Sequence, residues 1–106
     1  MDKLAAIVPI RNNIWKISNP LIAQKKAFKY LGKSGFLFLS NRPDKKYMVL
    51  DPKGRAIHFG SSEYEDHTKH QDEKRRQNYL RRATNIKGRW REDNYSPNNL
   101  SINILW

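Results

Sequence analysis

The sequence contains no cysteine, and only 10 of its 106 residues are acidic. The absence of cysteine excludes disulfide bonds and cysteine-ligated metal sites. The longest apolar runs are Ala5 to Ile10, which contains Pro9, and Phe36 to Leu39. Neither approaches the roughly 20 residues that a membrane-spanning helix needs, and the N-terminal run is too short for a signal peptide. We therefore expect a soluble, intracellular protein.

Sequence signatures of catalysis are also missing. The five glycines occur singly, so the chain has no glycine-rich loop that would cradle a phosphate. No serine lies in a Gly-x-Ser-x-Gly turn, and without cysteine there is little support for covalent catalysis. We expect a protein that is not an enzyme, with no catalytic residue, no cofactor and no bound metal.

Positive charge, in contrast, is abundant. The 21 Lys and Arg residues outnumber the acidic residues and give a formal charge of +11, with a pI near 10.1. Because self-repulsion opposes compaction, such an excess indicates an anionic partner. The candidates are nucleic acid, an anionic membrane surface and an acidic protein surface, and nucleic acid is the most common partner of a basic domain.

The positive charge is densest between Asp72 and Arg82. If this segment is helical, Arg75, Asn78 and Arg82 share one side, and Arg76 and Tyr79 share another. Guanidinium groups match the geometry of phosphate, although a charged face that only contacts solvent would have the same composition. The predicted polyanion-binding residues are Lys74, Arg75, Arg76, Arg81, Arg82, Lys87, Arg89 and Arg91.

Other basic and aromatic residues extend this predicted surface. The expected hairpin ends carry Arg42, Lys45, Lys46, Lys53 and Arg55. Tyr79, Trp90 and Tyr95 are interleaved with the later cations. Exposed aromatic rings can stack on bases, but we favour core packing for these three.

The length indicates one domain, which we divide into an N-terminal arm (residues 1–18) and a basic α+β domain (residues 19–106). The arm shows no clean periodicity, and we expect Ile14, Trp15 and Ile17 to dock on another surface, either within the chain or on a neighbouring subunit.

Capping and turn residues predict the elements of this domain. Asn19-Pro20 predicts a helix start and Gly32 its end, with Ala23, Ala27, Phe28 and Leu31 in one apolar stripe. Three strands follow, at Phe36 to Leu39, Lys46 to Leu50 and Arg55 to Phe59, with the turn Asp51-Pro52-Lys53-Gly54 between the last two.

The second half of the chain is predicted to be helical. Residues 61–71 form an ordered loop or a short helical turn, and Asp72 caps the arginine-rich helix, which ends near Thr84. Ser96-Pro97 opens a last short helix whose apolar residues either close the core or supply an interface. The fold class is therefore α+β, a small single domain with a three-stranded antiparallel meander packed with two or three short helices.

A cluster of histidine and acidic residues allows one alternative. His58, Asp66, His67 and His70 could hold a divalent ion beside the basic surface, as in a metal-dependent nuclease. Glu63 and Asp72 lie in the same stretch, but the spacing matches no established metal-binding motif. We therefore favour local packing and capping for these side chains.

Several segments resemble a set of short basic proteins encoded by large double-stranded DNA viruses and some phages. The segments are Lys45 to Val49, Ile57 to Gly60, Tyr64 to His70, Arg75 to Arg82, Ser96 to Ser101 and Leu105-Trp106. The resemblance covers about residues 45–106 and brings no catalytic residue with it. It implies a small virion component or a genome-associated protein.

Together these observations predict a non-enzymatic viral structural protein, a minor capsid or genome-associated component of the virion. Its partners would be nucleic acid, DNA in preference to RNA, or acidic capsid proteins, with oligomeric contacts through the arm and the C-terminal segment. Its location would be the virion, and the host cytoplasm or nucleus during assembly. The alternatives are a stand-alone DNA- or RNA-binding protein and, with less support, the metal-dependent nuclease.

Overall fold

A computed structural model describes residues 12–106 as an α+β domain, with a three-stranded antiparallel sheet and four helices. This confirms the predicted fold class. The helices are α1 (Pro20–Leu31), α2 (His67–His70), α3 (Glu73–Thr84) and α4 (Pro97–Leu100), and the strands are β1 (Phe38–Leu39), β2 (Lys45–Leu50) and β3 (Ala56–Ser61). Short 3-10 turns at Asn12–Lys16, Gly32–Ser34 and Trp90–Glu92 and a π turn at Ser101–Leu105 complete the order.

The sheet is a meander in the order β1-β2-β3, as predicted. Tyr47 pairs with both Leu39 and Phe59, so β2 is the central strand. In the β2–β3 turn, Asp51 Oδ1 accepts hydrogen bonds from the backbone N–H groups of Lys53 and Arg55. This carboxylate therefore fixes the turn, as expected for an Asp in that position.

The first strand is shorter than predicted, with only two paired residues. Phe36 lies outside the sheet and is largely exposed, and at Leu37 the backbone N–H donates to the side-chain oxygen of Gln24 in α1 at 2.9 Å. A side chain from the neighbouring helix therefore takes the place of a strand partner at this position.

Helix α1 begins as the sequence predicts. The side-chain oxygen of Asn19 accepts hydrogen bonds from the N–H groups of Leu21 and Ile22, and Pro20 takes the first helical position. Its buried face is made by Ala23 and Ala27.

Phe28, which the sequence places in the apolar stripe of α1, lies outside the buried face of the helix. Gly35 passes so close to the helix that a Cβ atom there would lie 2.5 Å from the carbonyl oxygen of Ala27. Position 35 therefore has room only for glycine, and the exposed Phe28 ring packs edge-on against Phe36, with centroids 5.0 Å apart.

The C-terminal segment closes the core of its own chain. The Ser96 hydroxyl accepts the N–H of Asn99 at the start of α4, and Leu100, Ile104 and Leu105 are fully buried. They pack with Tyr47 and Phe59 of the sheet and with the two alanines of α1. The sequence left open whether these apolar residues close the core or supply an interface, and the structure places them in the core.

Residues 1–11 of the predicted arm lie outside the described residues. Of the three arm residues expected to dock, Ile14 is buried in the domain's own core, Ile17 packs against that core, and Trp15 is exposed. Within residues 12–106, no helix combines the length and apolarity that crossing a membrane requires.

We expect Gly60→Ala to destabilise the fold more than Gly54→Ala. Both glycines have positive φ, +82° and +79°, so each substitution costs about 1–2 kcal/mol of backbone strain. At Gly60 the new Cβ would also lie 2.7 Å from Leu105 Cδ1, whereas at Gly54 nothing lies within 4 Å. The clash adds about 1–3 kcal/mol. Urea unfolding of both variants tests this, and equal losses would show that Leu105 does not pack against the sheet as described.

Candidate nucleic-acid interface

A buried ion pair connects the sheet to the helices that carry the candidate site. Lys46 Nζ lies 3.2 Å from Asp66 Oδ2, and the two side chains are only 2% and 0% exposed. Burial lowers the pKa of Lys46, while the adjacent Asp66 carboxylate opposes this shift. Lys46 is therefore not part of the basic surface on which the sequence placed it.

Hydrogen bonds extend this pair to the start of α1. Asp66 Oδ1 accepts the backbone N–H and the hydroxyl proton of Thr68. Since the Thr68 proton is used in this way, the Ser18 hydroxyl donates to Thr68 Oγ1 at 3.1 Å, and the Tyr47 hydroxyl donates to Ser18 at 2.7 Å. Thr68 Oγ1 also accepts the N–H of Asn19. This buried network therefore joins β2 to the starts of both α1 and α2.

Helix α3 follows α2 after two residues and is positioned by a cap. Asp72 Oδ1 accepts the N–H of Arg75 at 3.1 Å, which confirms the predicted cap. The backbone hydrogen bonds lower the pKa of the Asp72 carboxyl, since they favour its charged form.

One side of α3 faces inward. The Tyr79 ring stacks on Trp106, with centroids 4.1 Å apart and planes 5° from parallel, and Ala83 is buried. Arg76 Nε donates to the main-chain oxygen of Trp106 at 2.8 Å, and its Nη1 lies 3.0 Å from Glu73 Oε1. Arg76, predicted to bind a polyanion, therefore helps to hold the C-terminal segment in place.

The opposite side of α3 is exposed and cationic. We define the outer face of α3 as Lys74, Arg81 and Arg82, all of which are exposed, and Arg82 at its edge also lines the groove described below. Arg81 donates to the side chain of Asn78, and none of the three forms an ion pair within residues 12–106. Their charge is therefore available to a partner.

The remaining predicted cations lie in the segment that follows α3. Arg89 pairs with Glu92 through two contacts at 2.6 and 3.2 Å. Arg91 stacks over the Trp90 ring at 4.2 Å and donates to the main-chain oxygen of Thr84 at the end of α3. Lys87 is exposed, with no ion pair among the described residues.

Two asparagines that the sequence analysis did not single out hold this segment against the core. Asn99 is buried, and its side-chain NH2 donates to the main-chain oxygens of Trp90 and Asp93, each at 2.9 Å. The Asn98 side chain donates to the oxygen of Ala83 in α3. Their only sequence signal is their position directly after the Ser96-Pro97 helix start.

A groove of about 590 Å³ lies beside α3, and we call it the α3 groove. Arg75, Asn78, Tyr79 and Arg82 form one wall, and the segment 61–65 forms the other. Lys46, Gly60, Ser101, Leu105 and Trp106 complete the lining. Two of the predicted arginines are thereby brought onto one wall of a concave site.

Two residues of the opposite wall set the chemistry of this groove. Tyr64 is 64% exposed and was not predicted as a site residue. Glu65 Oε1 lies 3.7 Å from Arg75 Nη1 in a pair that is partly exposed on both sides. Such an exposed pair is weak, so the Arg75 guanidinium can exchange Glu65 for a phosphate.

The three histidines do not come together. His58 Nδ1 lies 2.7 Å from the Ser40 hydroxyl in the sheet, while the His67 and His70 rings pack edge-on at 5.8 Å. His70 Nδ1 accepts the N–H of Asp72, and its Nε2 is buried without a hydrogen-bond partner. In the part of the chain described by the structure, no three His, Asp or Glu side chains are grouped to hold a metal ion.

Residues 37–83 match the model of a family described as "Family of unknown function (DUF5754)". The match runs from the residue before β1 into the last turn of α3, so it contains both Lys46 and Asp66 and the arginines of α3. No curated protein and no solved structure matches the chain. The viral origin implied by the sequence resemblance stays a prediction.

Removing the Asp66 carboxylate should strongly destabilise the protein. Asp66→Ala leaves Lys46 buried without its partner, and we expect the free energy of unfolding to fall by about 3–5 kcal/mol. The neighbouring Glu65→Ala, which breaks only an exposed pair, should cost less than about 1 kcal/mol. Urea unfolding of the two variants measures both effects, and similar losses would contradict the structural role of the buried pair.

Stability should decrease as the pH falls from 7 to 5.5. Burial lowers the pKa of His70 and of His58, so the unfolded chain takes up these protons first and protonation favours unfolding. His70→Asn should make this decrease smaller, because an Asn oxygen can accept the Asp72 N–H but does not titrate. Urea unfolding at a series of pH values measures the slope, and an unchanged slope would show that His70 titrates alike in both states.

Proposed function

We propose that the protein binds nucleic acid through the outer face of α3. The observation that carries this proposal is the set of three exposed cations, Lys74, Arg81 and Arg82, which have no acidic partner within the described residues. The helix beneath them is held by the Tyr79–Trp106 stack and by the Asp72 cap. The backbone positions from which the three cations extend are therefore fixed.

Electrostatics favours nucleic acid over an acidic protein surface. The net charge of +11 extends the attraction beyond α3, and nucleic acid supplies the denser row of negative charges. Two of the three cations are arginines, whose planar donors match phosphate oxygens. Each phosphate contact releases a bound counterion, so the affinity should depend steeply on salt.

We further propose that the protein acts as a non-enzymatic structural component of a virus particle, as a minor capsid or genome-associated protein. The support for this context is the resemblance of residues 45–106 to short basic proteins of large double-stranded DNA viruses and phages. The same context favours DNA as the ligand, with the virion as the final location and the host cytoplasm or nucleus as the site of assembly.

Removing two outer-face cations should weaken binding to a labelled 20-base-pair DNA duplex. In fluorescence anisotropy titrations from 50 to 300 mM salt, we expect Lys74→Gln/Arg81→Gln to lower the slope of log affinity against log salt by about 2. The affinity at 100 mM salt should fall roughly tenfold. The matched control is Lys33→Gln/Lys53→Gln, which removes the same charge from exposed turns outside α3.

Three results would contradict the proposal. The first is no binding at low salt, and the second is binding that does not depend on salt. The third is an equal loss in the control, which would assign the attraction to net charge instead of α3.

For the viral context, quantitative proteomics of purified particles should find the protein in stoichiometric amounts, and its absence from particles would leave a stand-alone nucleic-acid-binding protein.

A further inference from the structure

We propose that the α3 groove holds an unpaired nucleotide, so that the protein prefers single-stranded to duplex nucleic acid. This inference rests on the proposed function, because it names the form of nucleic acid that the same helix would recognise. The groove adds a concave site to the outer face of α3, which would otherwise bind through charge alone.

The size and shape of the groove fit one nucleotide. Its volume of about 590 Å³ lies within the range typical of small-molecule sites. It lies between α3 and the segment 61–65, with the buried Leu105 and the ring of Trp106 in its lining. The lining is thus partly apolar, as a base requires.

The charges of the groove suit a phosphodiester at its mouth. Arg75 and Arg82 lie on one wall, two helical turns or roughly 10 Å apart. Lys46 also lines the groove, but its charge is already balanced by Asp66. Glu65 partly offsets Arg75, so Arg82 is the wall cation without an ion pair among the described residues.

Tyr64 supplies the surface on which a base can stack. It is largely exposed, and it makes no hydrogen bond, ion pair or ring contact with any other residue of the range 12–106. Stacking of a base on such a ring is favourable and tolerates any base, since every base has a π face. Ser61 and Asn78 lie in the same lining; the Ser61 oxygen accepts the Glu63 N–H and the Asn78 oxygen accepts from Arg81, which leaves the hydroxyl proton and the amide NH2 group to donate to the edge of a base.

These features favour an unpaired base over a base pair. In a duplex the faces of each base are covered by its neighbours, so only an unstacked base can present a face to Tyr64. An acidic peptide would satisfy the arginines equally well, but it would not need an uncovered ring beside two edge-bonding groups. Nucleic acid is therefore the occupant that uses the whole lining.

The preference can be tested with a labelled ten-residue oligothymidylate and a labelled DNA hairpin that carries the same number of phosphates and is closed by a non-nucleotide linker, so that it contains no unpaired base. In anisotropy titrations at 100 mM salt, the parent protein should bind the single strand more tightly. Tyr64→Ala should weaken single-strand binding by roughly 5- to 100-fold and leave hairpin binding unchanged. Tyr64→Phe should bind the single strand as tightly as the parent protein does, because this substitution keeps the aromatic ring.

Two further variants complete the design. Phe36→Ala removes another largely exposed aromatic ring, one outside the α3 groove, and should leave both affinities unchanged. Glu65→Gln removes the negative charge beside Arg75 and should raise the single-strand affinity about threefold. Urea unfolding of each variant shows whether the fold is intact.

The outcomes separate this inference from the proposed function. If neither oligonucleotide binds, the proposed function fails and the groove proposal fails with it. If both bind equally and Tyr64→Ala changes neither, the outer face binds nucleic acid and the groove assignment is wrong. If polyglutamate binds and Tyr64→Ala weakens it without any single-strand preference, the groove takes acidic peptides and the nucleotide assignment is overturned.

Discussion

The fold depends on keeping one lysine and one aspartate out of water together. Burying two charges is costly, and their mutual attraction and the surrounding hydrogen bonds offset that cost. Among the described residues Asp66 Oδ2 accepts no hydrogen bond and relies on the Lys46 ammonium, 3.2 Å away. Here a directed chain from Tyr47 through Ser18 and Thr68 ends on the Asp66 carboxylate, and Lys46 lies at its other oxygen. Because these groups belong to the sheet and to the starts of two helices, this hydrogen-bond network fixes how all three elements lie relative to one another.

The orientation of helix α3 depends on this arrangement. With α2 fixed by Asp66 and Thr68, α3 begins directly after its Asp72 cap, and its Tyr79 ring stacks on Trp106 of the C-terminal segment. A helix with five cations in twelve residues has little apolar surface to bury, so only a narrow stripe can face inward. Arg76 lies at the edge of that stripe, where Glu73 and a main-chain oxygen satisfy its guanidinium. The other four cations remain on the exposed side or along the groove.

Local signals in the sequence predicted the start of α1, the β2–β3 turn, the cap and extent of α3 and the start of α4, because each depends on a few adjacent residues. The sequence did not predict the burial of Lys46, whose partner lies 20 residues away, or the exposure of Phe28, whose ring packs on Phe36 from the segment after α1. Composition identified the cations of the site. It could not identify Tyr64 as part of a groove, because the lining comes from four separate segments.

The family match at residues 37–83 covers one part of the candidate surface and leaves another part outside. The outer face of α3 and the buried Lys46–Asp66 pair lie entirely within the match. The α3 groove does not, since Ser101, Leu105 and Trp106 of its lining come from beyond it. The proposed binding through charge on α3 therefore uses cations that all lie in the matched region, although the helix that carries them packs against Trp106 outside it. The proposed selection of an unpaired base would need the C-terminal segment as well, because Ser101, Leu105 and Trp106 line the groove.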